Sequence, residues 1–373
     1  YLKMPEFISL FIEELNRKKE KINNLFFKKD IKDRSFFVNF VETLWHKIPE
    51  NLQSNGHKIF AIDASQRTLS FSLGPYLLLT QGLAIGTEGY EKATISLDPI
   101  PASISENQLA WIRDLIMQKI ETELALKIIE EIKPPFILFI DGSIISRLSY
   151  LLRYINLIEE EPYKDLALNV LNTTIELILK SKNKNIELIS ISKSSRNTFF
   201  FQILSIDHPE LKEELPYTPI DAEFLNILSW EPGYSTPLLI GAEMGLGHNQ
   251  IELIEKDPNL QTLLKDIPAF ITFYVRLIPR DQILRIDIPN YLIEDSTTLL
   301  EVNFHWEKDV NIDNILAILR ENCINSQIYQ TPLYLVDNIV RIKKTPDLER
   351  YIMILKKEFP DILELDRSQR RFF

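Results

Sequence analysis

Two short stretches of this chain have the same form: Ile59-Phe60-Ala61-Ile62-Asp63-Ala64-Ser65 and Ile137-Leu138-Phe139-Ile140-Asp141-Gly142-Ser143. Each is an apolar run that reaches an aspartate and then turns on small residues, the pattern by which a buried strand delivers a carboxylate to the rim of a sheet. Two such strand ends can share one cation. A metal-dependent site built from non-consecutive strands is therefore the leading expectation.

Size and composition set the frame. At 373 residues the chain has room for one large domain or two of ordinary size. Hydrophobic residues at 45% and charged residues at 25% suit a globular protein with a sizeable core. No apolar run approaches the roughly 18–20 residues of a membrane span, so no membrane partner is expected. No stretch reads as a secretory leader. The lone cysteine, Cys323, excludes an internal disulfide or a cysteine-rich zinc site and fits a reducing cytoplasm. Beside Leu316, Leu319 and Ile324 it reads as core filler. A net charge of −11 argues mildly against a nucleic-acid ligand, although local basic strips decide phosphate contact. Strips at 17–19, 28–29, 343–344 and 367–371 each read, taken singly, as solvated faces or loops.

Apolar spacing then sets the order of elements. Ile8, Phe11, Ile12, Leu15, Ile22, Leu25 and Phe26 predict an amphipathic helix over 5–27, and a second helix is expected over 36–48. After the first Asp-bearing strand come strand-like runs at 70–73, 76–79 and 92–97, an antiparallel meander. Ser105 caps a long helix carrying Leu109, Ile112, Leu115, Ile116, Ile120, Leu124 and Ile128, which feeds the second Asp-bearing strand. Helices over 144–158 and 166–179 precede a strand at 186–191 that ends in Ser192-Lys193-Ser194-Ser195-Arg196. The segment 197–266 reads as short elements among prolines, with no role assigned. A hairpin of strands 269–277 and 282–288, a helix at 312–323, an extended piece at 334–342 and a helix at 348–359 complete the chain. The alternation of strand and helix gives an α/β class, as one domain with an elaborated core.

The helix between the two Asp strands adds a third carboxylate. Glu121 lies on the apolar stripe of Met117, Leu124 and Ile128, whereas Glu123 sits between Lys119 and Lys127 on the solvated face. A carboxylate on an apolar stripe needs a partner or a metal, because an unpaired buried charge is expensive. Asp63, Glu121 and Asp141 are hard oxygen donors suited to Mg²⁺ or Mn²⁺ and to hydrolysis or transfer at phosphate. Lys193 follows its strand in the same manner and offers a phosphate contact, with Arg196 beside it. His46, His57, His208, His248 and His305 show no paired ligand spacing, and the glycine-rich 241–247 stretch lacks the ending of a Walker loop.

With these residues in hand, the chain resembles the NurA family, nucleases that act on DNA ends beside the HerA hexameric translocase. The resemblance runs from about Lys58 to Ile342. It rests on Ala61-Ile62-Asp63-Ala64-Ser65, Ile140-Asp141-Gly142-Ser143, Ile191-Ser192-Lys193-Ser194-Ser195-Arg196, Thr272-Phe273-Tyr274-Val275-Arg276-Leu277 and Arg285-Ile286-Asp287-Ile288. It implies an RNase H-like mixed sheet flanked by helices, use of Mn²⁺, a homodimer, and degradation of DNA from 5′ ends. The family's last motif is matched by the stretch from Ile328 to Asp337. Tyr329 and Leu333 fit it, and Asp337 stands where the family places a catalytic histidine.

The resulting expectation is an N-terminal helical segment over 1–57, an RNase H-like nuclease core over 58–345 and a C-terminal helix and tail over 346–373. Asp63, Glu121, Asp141 and Asp337 would hold Mn²⁺ or Mg²⁺, Tyr329 would join the catalytic set, and Lys193 and Arg196 would position DNA. The expected activity is 5′ to 3′ exonuclease and single-strand endonuclease cleavage in DNA end resection and double-strand break repair. The expected partners are DNA, a second copy of the chain and a HerA-type hexameric ATPase, with the helix at 5–27 and the tail Arg370-Arg371-Phe372-Phe373 as docking segments. Two other readings stand beside it: an actin-like ATPase or sugar kinase, and a non-catalytic adaptor of a ring ATPase.

Overall fold

The strand-like runs pair into one sheet in the computed structural model, which describes residues 7–27, 40–41, 43–54, 56–72, 74–215, 217–343 and 347–359. The tail Arg370 to Phe373 and residues 36–39 and 42 of the helix expected over 36–48 lie outside these residues. Where the sequence predicts a single body, the chain divides into two compact units. Residues 1–44 and 196–229 form the smaller, and residues 45–195 and 230–373 the larger.

All the described strands belong to the larger unit. They are β1 (Trp45–His46), β2 (Lys58–Ser70), β3 (Tyr76–Gly86), β4 (Glu91–Ile100), β5 (Phe136–Asp141), β6 (Glu187–Ser192), β7 (Gly233–Ser235), β8 (Leu238–Ile240), β9 (Phe270–Arg276), β10 (Leu284–Pro289) and β11 (Phe304–Trp306). They run in the order β1-β7-β9-β10-β6-β5-β2-β3-β4, with β8 beside β9 and β11 beside β8. Strands β2, β3 and β4 form an antiparallel meander, and β5 and β6 add to β2 in parallel. This is the strand arrangement of the RNase H-like fold, a mixed sheet flanked by helices, and β7 to β11 elaborate one side of it. Strand β1 replaces part of the helix expected over 36–48, because Trp45 and His46 pair with Ser235 and Tyr234.

Alternation along the strands decides what each face carries. Ala61, Phe139, Ile189 and Ile191 lie on one face, where they pack with Tyr329, Leu333, Val336 and Val340. The last three recur at helical spacing behind Pro332, and the chain over Thr331–Val340 is a helix with that proline in its first turn. The extended piece expected over 334–342 is thereby corrected: Tyr334-Leu335-Val336 reads as a strand only when the longer period is missed.

The opposite face receives the long helix Glu106–Glu131, started by a capping box in which Ser105 and Gln108 bond each other's backbone N–H. A Cβ on Gly82 of β3 would stand 2.2 Å from Ile120 Cγ2 of this helix. Only a glycine lets the helix approach so closely, and Ile120 seated there sets the position of Glu121. Among the described residues no helix is long and apolar enough to cross a membrane.

In the smaller unit, helix Phe7–Phe27 is the amphipathic helix of the sequence, with Phe7 and Ile8 exposed at 73% and 77%. Helices Phe199–Asp207 and Asp221–Leu228 meet through Phe201 and Phe224, whose rings are 5.2 Å apart. Buried Asp221 accepts the N–H groups of Phe200 and Phe201 at 3.1 and 3.0 Å, anchoring the first turn of one helix to the start of the other.

Candidate metal centre

Register sets the site. Parallel pairing of β2 with β5 runs to Ile62 beside Ile140, so Asp63 and Asp141 are the next residues at one level. Two residues beyond Ala61, Phe139 and Ile191 on the core face come Asp63, Asp141 and Lys193. Strand β5 ends at Asp141, where Gly142 turns at φ +86° and Ser143 caps helix Ile144–Leu157. Strand β2 does not end. The sequence places Asp63 before a turn, but β2 continues through Ser70, paired throughout with β3. The sheet therefore splits beyond Asp141, and groups from its two faces can approach in the gap.

Glu121 comes from the long helix, as its position on the apolar stripe predicts. Arg147 Nη2 bonds Glu121 Oε2 at 2.6 Å, with the two side chains only 11% and 14% exposed. Burial raises the Glu121 pKa, a shift that Arg147 opposes and Asp141 reinforces. Glu123 takes the solvated face, 3.8 Å from Lys119. Asp337 lies on helix Thr331–Val340 and bonds Arg341 Nη2 at 2.6 Å. The end of that helix is tied down by Gln81 Nε2, which donates to Val340 O at 2.5 Å, and by Ser65, whose Oγ accepts Ile342 N–H at 3.0 Å. Arg67 donates to Ile342 O at 3.1 Å.

Lys193 Nζ bonds Asp141 Oδ2 at 2.9 Å and stands 4.6 Å from the centre of the Tyr329 ring. Burial works against its charge, but Asp141 and Tyr329 outweigh burial and its pKa rises. Tyr329 is raised first by burial and next by Asp141, while Lys193 beside its buried hydroxyl works against the shift. Asp63 accepts the Ala64 N–H at 2.9 Å. Its carboxyl is pushed up to about 8, foremost by burial and then by the charges of Glu121, Asp141 and Asp337. Arg196 is exposed and falls in the smaller unit.

The structure thus gathers Asp63, Glu121, Asp141, Asp337, Tyr329 and Lys193 within electrostatic range of one another. No group of three or more His, Cys, Asp or Glu among the described residues has ready ligating geometry. Glu121, Asp141 and Asp337 are each turned to a basic side chain. The donor set nonetheless fits a hard divalent cation: carboxylate oxygens dominate it, and burial together with the neighbouring carboxylates holds Asp63 above its ordinary range. Sequence reasoning did not find Arg147, Ser65, Arg67 or Gln81. Only the position of Arg147, one turn into the helix after Asp141, carries a trace of its role. Cys323, expected in the core, is half-buried beyond the end of helix Asp313–Glu321.

Comparison with curated proteins finds no match. Among solved structures, the NurA nuclease from Sulfolobus solfataricus is 19% identical, with 97% of this chain and 99% of that one covered and a TM-score of 0.57. A structure of NurA is 13% identical over 92% of this chain and 98% of that one, at 0.57. NurA bound to dAMP and manganese is 13% identical over 95% and 99%, at 0.55. These likenesses share the fold. Residues 57–342 match the NurA domain, most of the length and every strand from β2 onward, and the chain belongs to the NurA family.

Proposed function

We propose that this chain is a divalent-metal-dependent deoxyribonuclease. One observation carries the reading: Asp63 and Asp141 leave adjacent parallel strands at one level and on one face, and the helix seated on Gly82 brings Glu121 to them. Asp63, Glu121, Asp141 and Asp337 would hold Mn²⁺ or Mg²⁺, which when bound supplies Lewis-acid charge at a phosphodiester and an activated water. The chain's own residues supply the rest. Lys193 offers an ammonium at the same edge, the Tyr329 hydroxyl offers a donor to a phosphate oxygen, and exposed Arg196 offers a further cation for the DNA backbone.

A relative solved with dAMP and manganese supports both the nucleotide substrate and the metal. The finer properties belong to the same proposal: digestion from 5′ ends with single-strand cleavage, a homodimer, and work beside a HerA-type translocase in DNA end resection and repair.

The test is digestion of end-labelled linear DNA in Mn²⁺ by the wild type and by Asp63→Ala and Asp141→Ala, each checked for folding by circular dichroism. Both variants should lose at least about a hundredfold in rate, the upper range for disturbing a metal shell. Full activity in either folded variant would sink the assignment. A wild type that binds DNA but leaves it intact would favour the adaptor reading.

A further inference from the structure

The carboxylates of the site differ in how firmly their basic partners are held. Glu121 and Arg147 are 14% and 11% exposed and come from two packed helices, so their pairing is fixed by the fold. Arg341 is 58% exposed and holds Asp337 from just past the end of the helix that carries it. Lys193 and Asp141 are intermediate, at 31% and 33%. Lys193 also lies one residue past the end of β6, where ladder hydrogen bonds no longer pin the backbone. Its ammonium is a compact charge on a flexible stem, and the Tyr329 ring gives it a second place to rest.

Asp141 is also a residue that a metal would need. A divalent cation on its carboxylate and an ammonium 2.9 Å from it repel each other strongly. The two therefore compete for that carboxylate, of which Lys193 holds Oδ2. A Lys193 released from Asp141 stays at the rim of the sheet, where the proposed substrate presents phosphate. We propose that Lys193 is an exchangeable internal counter-ion: it holds Asp141 until a divalent cation takes that carboxylate, and its freed ammonium then engages a DNA phosphate. Cation loading and DNA capture are thereby coupled through one side chain. The proposal rests on the metal-site reading above and adds to it an order of events and an antagonist.

The test titrates Mn²⁺ into the full chain by calorimetry without DNA, comparing wild type, Lys193→Met and Lys193→Arg. Lys193→Met should bind Mn²⁺ roughly thirtyfold tighter, the weight of one unit charge on a divalent cation about 4 Å away in a water-like medium. Lys193→Arg keeps the charge and should stay within about twofold of wild type. Binding of a single-stranded oligonucleotide in Ca²⁺ should weaken in Lys193→Met. The slope of log affinity against log salt should also fall by about 0.7, the share of the one phosphate that Lys193 neutralises. Unchanged or weaker Mn²⁺ binding by Lys193→Met overturns the exchange, as does an unaltered salt slope. Absence of Mn²⁺ binding by the wild type overturns the metal-site reading itself, and the exchange with it.

Discussion

Two acid–base pairs of the larger unit are alike on paper and opposite in setting. Arg285 and Asp287 lie on β10, where Arg285 Nε bonds Asp287 Oδ1 at 2.8 Å and Thr272 Oγ1 bonds the same oxygen at 2.6 Å. Their side chains are 0% and 1% exposed. Lys193 and Asp141, on and just past the neighbouring strands, are about a third exposed. Arg285 pairs in register with Ser192, so the two sites are within a few residues of each other. They differ because Arg285 and Asp287 face away from the apolar cluster along the body of a strand, whereas Asp141 and Lys193 stand where strands end. A charge pair inside a sheet is held by everything around it. A charge pair at the rim can change partners.

The strongest challenge to that contrast is Asp287→Ala. It removes this carboxylate from a fully buried guanidinium and should lower stability by about 3–5 kcal/mol in urea unfolding. A loss below about 1 kcal/mol would make the buried pair resemble the rim pair and dissolve the distinction.

A second measurement concerns the rim itself. Asp63 has an ordinary value of 3.8, raised in the folded chain to about 8. Between these values the native state binds more protons than the unfolded one, so this group lowers stability as pH rises from about 4 through 8. Asp63→Asn removes that loss. In chelator, its melting temperature should exceed that of wild type by at least about 3 °C more at pH 8 than at pH 5, given about 2–4 °C for each kcal/mol in a unit of this size. Equal differences at the two pH values would return Asp63 to the ordinary carboxylate range. The smallest effect is expected of Arg341→Ala, an exposed side chain whose partner Asp337 is four residues away. Stability in urea should fall by no more than about 1 kcal/mol, and a larger loss would move Asp337 into the buried class.

Much of this is legible in the sequence, for identifiable reasons. Asp63 and Asp141 can be paired because a strand has period two and both end an apolar run at the same phase. Glu121 can be separated from Glu123 because a helix has period 3.6. Other features are not legible, because they depend on partners far along the chain. The continuation of β2 past Asp63 is decided by β3, which offers it eleven residues of pairing from Phe60 to Ser70. Arg147 meets Glu121 across 26 residues, and Ser65 meets Ile342 across 277. The helix Thr331–Val340 is easily misread because three adjacent apolar residues suit either period, and only Pro332 and the wider spacing of Leu333, Val336 and Val340 decide it.

Gly82 carries a consequence of its own. It has no polar atom in its side chain and is not a candidate for chemistry, yet the seat of Ile120 depends on the methyl it lacks. Any alanine there would lift the long helix and carry Glu121 away from the split in the sheet, leaving both aspartates in place. The reactive edge of this fold is therefore gauged from behind, by the thickness of one hydrogen atom on a strand that contributes no carboxylate to it.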